Sequence, residues 1–105
     1  MSAFDFAKVL KQAQALSGQL EQVQDQLRRR TAEATVGGGM VRATVNGKLE
    51  LVKLEIDPQA VDPRDVRMLQ DLIVSAVNQA TTRAQELAQQ EMARAMGLPF
   101  SGPHA

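Results

Sequence analysis

A short β-forming island, GGGMVRATVNGKLELVKLEIDP (residues 37–58), separates two long stretches of helical sequence, and it limits the folds open to this chain more than any other feature. Met40 to Val45 and Leu49 to Ile56 alternate and are rich in Val, Leu and Thr, the pattern of half-buried strands. Asn46-Gly47 between them is the strongest short hairpin signal, because both central residues of a type I′ turn take positive φ. A two-residue turn there predicts that Val45 faces Lys48 and Val41 faces Val52. One sheet face then shows Val41, Ala43, Val45, Val52, Leu54 and Ile56, and the other shows Leu49 and Leu51 near Arg42 and Thr44. A single helix layer covers one face only. A second copy of the chain is the simplest cover for the rest, with Val41, Arg42, Thr44, Leu49, Leu51 and Leu54 as the expected dimer surface.

Upstream, Ser2-Ala3-Phe4-Asp5 has the form of a capping box. Phe6, Val9, Ala13, Leu16, Leu20, Val23 and Leu27 then recur at alternating steps of three and four, a heptad seam, in a helix that Gly18 should weaken. Ala32 to Val36 is read as a short strand before Gly37-Gly38-Gly39. Downstream, Asp62 and Pro63 are expected to cap and open a second helix. Its apolar stripe, from Val66 through Leu69, Leu72, Ile73, Ala76, Ala80 and Ala84 to Ala88, is bulky early and alanine-rich late. Gly97-Leu98-Pro99 stops it. The expectation is an α+β domain over residues 1–97, built as long helix, three-stranded antiparallel sheet, long helix, with a flexible C-terminal tail over 98–105. Helices of ~25 and ~33 residues span roughly 38 and 50 Å, whereas a seven-residue strand spans about 23 Å. The helices therefore overhang the sheet.

The 105 residues suffice for one modest core, which must be aliphatic because aromatics are only 3%. With no cysteine and a lone histidine, His104, disulfides, thiol catalysis and a metal site have no basis. No Ser or Thr has a credible base beside it, so the expectation is a protein that is not an enzyme and uses no cofactor. No apolar run reaches the ~18 residues of a membrane span, and the N-terminus lacks the blocks of a signal peptide. The chain is read as soluble and cytoplasmic, without a membrane partner.

Twelve basic residues balance twelve acidic ones, which argues against strong long-range attraction to nucleic acid. The distribution is uneven: residues 1–31 hold five basic and three acidic side chains, ending in Arg28-Arg29-Arg30. That triplet complements a helix C-terminus and also has the character of a phosphate-contacting cluster. Lys8 and Lys11 share a helical face, and Arg83 and Arg94 lie on the second helix. These seven residues are the candidate contacts to a nucleic-acid backbone, with a solvated helix face as the alternative reading of Lys8, Lys11, Arg83 and Arg94. No aromatic lies on the expected sheet, so duplex backbone is a better target than stacked single strands. The triple glycine precedes a strand rather than a helix, which favours a turn over a phosphate cradle.

An ordered set of short stretches adds to this reading: Lys11-Gln12-Ala13-Gln14, Gly39-Met40-Val41 leading into Thr44-Val45-Asn46-Gly47, Ile56-Asp57-Pro58, Met68-Leu69-Gln70-Asp71-Leu72, and Asn78 followed by Ala80. On these the chain resembles the YbaB/EbfC family of bacterial nucleoid-associated proteins over nearly its whole length. The resemblance implies a sheet-mediated homodimer with protruding, tweezer-like helical arms. It implies double-stranded DNA as partner, bound with little sequence preference, a place in the nucleoid, and a role in nucleoid organisation, gene expression or DNA repair, with repair or recombination proteins as further partners. Of the basic residues named, only Lys11 falls on a motif position of the family. The rival readings are a prefoldin-like holdase chaperone, whose helical arms grip unfolded clients, and a protein-interaction adaptor.

Overall fold

The computed structural model describes residues 5–98. Helix α1 (Phe6–Arg29) leads into a three-stranded antiparallel sheet of β1 (Thr31–Val36), β2 (Val41–Asn46) and β3 (Leu51–Ile56). A 3-10 turn (Pro58–Ala60) then precedes helix α2 (Val66–Ala95). Strand order follows chain order, so β2 is central and β1 and β3 are the edges. The α+β architecture is the expected one. Ser2 to Phe4 of the expected capping box lie outside the described residues, as do residues 99–105 of the expected tail.

Local chemistry sets the element ends. Asp5 caps α1, its carboxylate accepting from the Lys8 N–H at 3.3 Å. The cap of α2 is Asp65, which accepts from the Met68 N–H at 3.1 Å, and not Asp62. Asp62 instead closes a turn one step earlier, accepting from the Arg64 N–H at 2.9 Å, so Pro63 sits in the turn before the helix. The Arg64 backbone N–H, and then its guanidinium, hold the Asp62 carboxyl below its ordinary pKa. At the far end Gly97 adopts φ 70°, and the Leu98 N–H reaches the Ala93 carbonyl at 2.8 Å, a Schellman stop.

The hairpin is present, but its turn is not the two-residue type. The loop runs over residues 47–50, and Asn46 is its hub. The Asn46 Oδ1 accepts from the N–H groups of Lys48 and Glu50, both at 3.0 Å, and its Nδ2 donates to the Glu50 carboxylate at 2.8 Å. Leu49, not Gly47, takes the positive φ, at 64°. The longer loop moves the register: Val41 faces Ile56, Ala43 faces Leu54 and Val45 faces Leu51. A bulge at Thr44/Val45 leaves Val52 without a cross-strand partner. The expected pairings of Val45 with Lys48 and Val41 with Val52 are corrected accordingly.

The core is small and tightly built. Ala76, Ala80 and Ala84, one helical turn apart on α2, are fully buried against Ala34, Val41, Ala43 and Val45. Alanines let the helix axis approach the sheet closely, at the cost of the apolar area that larger side chains would bury. This layer covers β1 and β2 and stops short of β3. Leu54 lies directly opposite buried Ala43, yet is 38% exposed, and Leu51 and Val52 are about half exposed beside it. Helix α1 has no buried residue at all. The result is an elongated molecule of 76 × 31 × 17 Å, with a radius of gyration of 20.4 Å. A compact chain of this length has about 13 Å.

Candidate nucleic-acid interface

Helix α1 is a cantilever. Every residue from Phe6 to Gln22 is exposed, and only Val23, Asp25 and Leu27 near its C-terminal end are half-buried. The heptad seam is open along most of its length: Phe6, Val9, Leu16 and Leu20 are 45–69% exposed, as is Leu10 beside them. On the face away from that seam the helix is polar. Lys8, Lys11, Gln19, Gln22, Gln26 and Arg29 fall within about 80° of arc at 3.6 residues per turn, with small Ala15 among them and no acid. Lys8 marks one end of this stripe and Arg29 the other, roughly 32 Å apart.

The seven candidate DNA contacts divide by what already holds them. Lys8 and Lys11 are exposed and form no ion pair among the described residues. Arg28 and Arg29 share Asp25, at 3.6 and 3.1 Å, and stay more than half exposed, so both are screened but reachable. Arg30 is drawn inward: its Nη1 meets the Glu91 carboxylate at 2.6 Å. Arg94 approaches the same oxygen at 3.6 Å and remains 66% exposed. Arg83 donates to the backbone carbonyl of Glu33 at 2.5 Å, covering part of edge strand β1. Arg30 and Arg83 therefore do structural work inside the chain, a role that reading them as surface cations did not foresee. Glu91 and Asp25 were absent from the candidates. The spacing of Asp25 from Arg28 and Arg29, three and four residues, was a legible sign of helix ion pairs. Nothing in the sequence marked the partnership of Arg30 with Glu91, 61 residues away.

Where α1 and α2 meet, Gln19, Gln22, Val23, Asp25, Gln26, Glu91, Arg94 and Ala95 line an open cleft of about 430 Å³. Its walls are amides and ion pairs, suited to a wet polar contact rather than an apolar ligand. Among the described residues no group of three His, Asp or Glu is placed to hold a metal ion. No helix of the described residues is long and apolar enough to cross a membrane.

The expected dimer surface divides too. Val41 is fully buried in the chain's own core and Thr44 is 7% exposed, so neither offers surface to a partner. Leu49, Leu51 and Leu54 are exposed on or beside β3. Arg42 is exposed as well and lies 3.9 Å from Glu55 across the strand pair.

Comparison with known proteins places this geometry. The model of the YbaB/EbfC DNA-binding family matches residues 1–98. A nucleoid-associated protein of Moorella thermoacetica is 51% identical over 90 residues, covering 86% of each chain. One from Pelotomaculum thermopropionicum is 44% identical over 97 residues, covering 92% of each. Among solved structures, that of the uncharacterized protein HP0035 from Helicobacter pylori superposes with a TM-score of 0.70 at 26% identity, over 89% of this chain and 97% of that one. With a family match across nearly the whole chain and the same helix–sheet–helix fold in a solved relative, the chain belongs to the YbaB/EbfC DNA-binding family.

Proposed function

We propose that this chain is a nucleoid-associated protein that binds duplex DNA through its helical arms, as a homodimer and with little sequence preference. The observation that carries this reading is the exposed polar stripe of α1, with Lys8 and Lys11 at its outer end and Arg29 at its base. Such a stripe touches phosphates and reads no base edges, because amides and lysines spread along a protruding helix can track a backbone without entering a groove. The family is one of DNA-binding proteins, not of enzymes, and nucleoid-associated is the name its relatives carry. Gene expression and repair are downstream roles that a backbone binder in the nucleoid would serve.

The dimer rests on what a single chain leaves uncovered. Leu51, Val52, Leu54 and Val61 expose apolar surface around an edge strand that has, among the described residues, no strand neighbour on its outer side. A second copy joined at β3 would cover that surface and complete the sheet. Zero net charge sets the strength of DNA binding: affinity is modest and falls steeply with salt.

The open seam of α1 supports one rival, a holdase that grips unfolded clients on Phe6, Val9, Leu16 and Leu20. Duplex mobility shifts at two salt concentrations, run beside an aggregation-suppression assay, decide between them. A shift at low salt that weakens at high salt supports the DNA reading. Suppression of aggregation with no shift at low salt would replace it with the chaperone.

A further inference from the structure

Among the described residues, helix α1 is held at its base, by two separate devices. The first is a pivot: the Gly47 N–H donates to the carbonyl oxygens of Leu27 and Arg30, at 2.8 and 2.9 Å. Bonds gathered at one point fix where a helix ends but leave its direction free to swing. The second device acts on a different element. The Glu91 side chain, on α2 beyond the sheet, is 8% exposed, and its Oε1 is gripped by Arg30 at 2.6 Å and faced by Arg94 at 3.6 Å. A carboxylate this shielded from water holds its cation partners firmly, because an unpaired buried charge is costly. Among the described residues, partial burial of Val23, Asp25 and Leu27 adds to these two ties.

We propose that Glu91 is a positioning residue: through Arg30 it sets the angle at which α1 leaves the body, and so where Lys8 and Lys11 stand relative to the rest of the molecule. The lever is long. Lys8 lies about 32 Å up the helix from Arg29, so a swing of about 10° at the base moves it by about 6 Å. That exceeds the ~3.4 Å axial spacing of successive phosphates along one strand. Arg30 then serves DNA binding without touching DNA, which accounts for its turning inward, half-buried, beside two exposed arginines. Arg94 keeps Glu91 compensated when Arg30 is altered, so the two functions of the site, charge balance and arm angle, can be separated.

The consequence for duplex affinity rests on the DNA-binding reading; the arm angle does not. The chain has no native cysteine, so spin labels on Gln12→Cys and Gln85→Cys report one intramolecular distance when labelled protein is diluted with unlabelled protein. Both positions are exposed. In the full chain without DNA, pulsed dipolar spectroscopy should give a narrow distance distribution. Glu91→Gln and Arg30→Gln should each widen it at least about twofold with helical circular dichroism unchanged. Arg30→Lys, which keeps a cation opposite Glu91 with Arg94 still beside the acid, should stay close to the wild-type width. Arg30→Gln guards against loss of fold in the Glu91 variant, because Glu91 keeps one cation. A distribution as narrow as wild type in folded Arg30→Gln overturns the proposal, as does one in Arg30→Lys as wide as in Arg30→Gln. In mobility shifts, Glu91→Gln should bind duplex some threefold to tenfold more weakly with an unchanged salt slope, since every phosphate-facing cation is still present. A widened distribution with unaltered affinity leaves the positioning role standing and overturns the role of the arm in DNA binding.

Discussion

The amide N–H of Gly47 donates to the carbonyl oxygen of Leu27 across 2.8 Å, tying the turn of the β2–β3 hairpin to the last turn of α1. A Cβ added at Gly47 would sit 2.8 Å from that same oxygen and 3.1 Å from the Leu27 Cα. Gly47 is thus required for close approach of two backbones and not for a positive φ.

Gly47→Ala should therefore destabilise the protein by about 1–3 kcal/mol, as overpacking against backbone does. It should also loosen α1 more than the sheet. Urea denaturation gives the first quantity, and amide hydrogen exchange over residues 23–30 against 41–46 gives the second. Wild-type stability in the variant would mean that the helix end can retreat freely from the turn.

How far the sequence could be read follows from the same region. Asn46-Gly47 marked a hairpin because both residues tolerate turn conformations, and a hairpin is there. The turn type was misread because Asn46 uses its buried amide to organise a four-residue loop, a choice settled by its hydrogen bonds to Lys48 and Glu50. One loop length then moved every cross-strand pair. The helices and the alanine stripe were legible from period alone. The fate of the arginines was not: Arg28, Arg29 and Arg30 look alike in sequence, and only the return of α2 past the base of α1 gives Arg30 a carboxylate partner. Local rules reach i,i+4 neighbours; the candidate site depended on a contact 61 residues apart.

Gly18 poses a separate test. A Cβ there would meet nothing within 4 Å, so no packing inside the chain calls for glycine. Gly18→Ala should stabilise α1 by up to about 1 kcal/mol through helix propensity. Thermal unfolding measures it. A loss of stability that grows with protein concentration would instead show a partner packed closely on that turn.

The alanine contact between α2 and the sheet leaves no room for growth. Ala80 is 0% exposed, midway along the stripe from Ala76 to Ala84. Ala80→Leu should cost about 1–3 kcal/mol by forcing the helix off β1 and β2. A fall in the urea midpoint at unchanged slope would confirm it.

The basic residues separate into two predicted behaviours. Lys8→Ala with Lys11→Ala removes exposed cations and should leave stability within about 0.5 kcal/mol. It should flatten the salt dependence of duplex binding by about 0.9 in slope for each phosphate no longer neutralised. Arg83→Ala removes the donor to the Glu33 carbonyl and should lower stability by about 0.5–1.5 kcal/mol while leaving the salt slope intact. Titrations at several salt concentrations, each paired with a denaturation curve, read both outcomes. A flattened slope in Arg83→Ala would place that residue on the phosphate-contacting surface.

The apolar flank of β3 gives the last prediction. Leu51 and Leu54 are exposed in the single chain, so a charge there costs little within one fold. In a dimer joined at this strand each would be covered, and an unpaired lysine buried on both sides of a two-fold interface is counted twice. Leu51→Lys with Leu54→Lys should therefore keep the helical circular dichroism of the wild type while the mass by light scattering falls toward the 11.4 kDa of one chain. Duplex affinity should fall with it, because two sets of arms joined in one particle raise the effective concentration of the second contact. A variant that keeps the wild-type mass would move the association surface away from β3 and onto the open seam of α1.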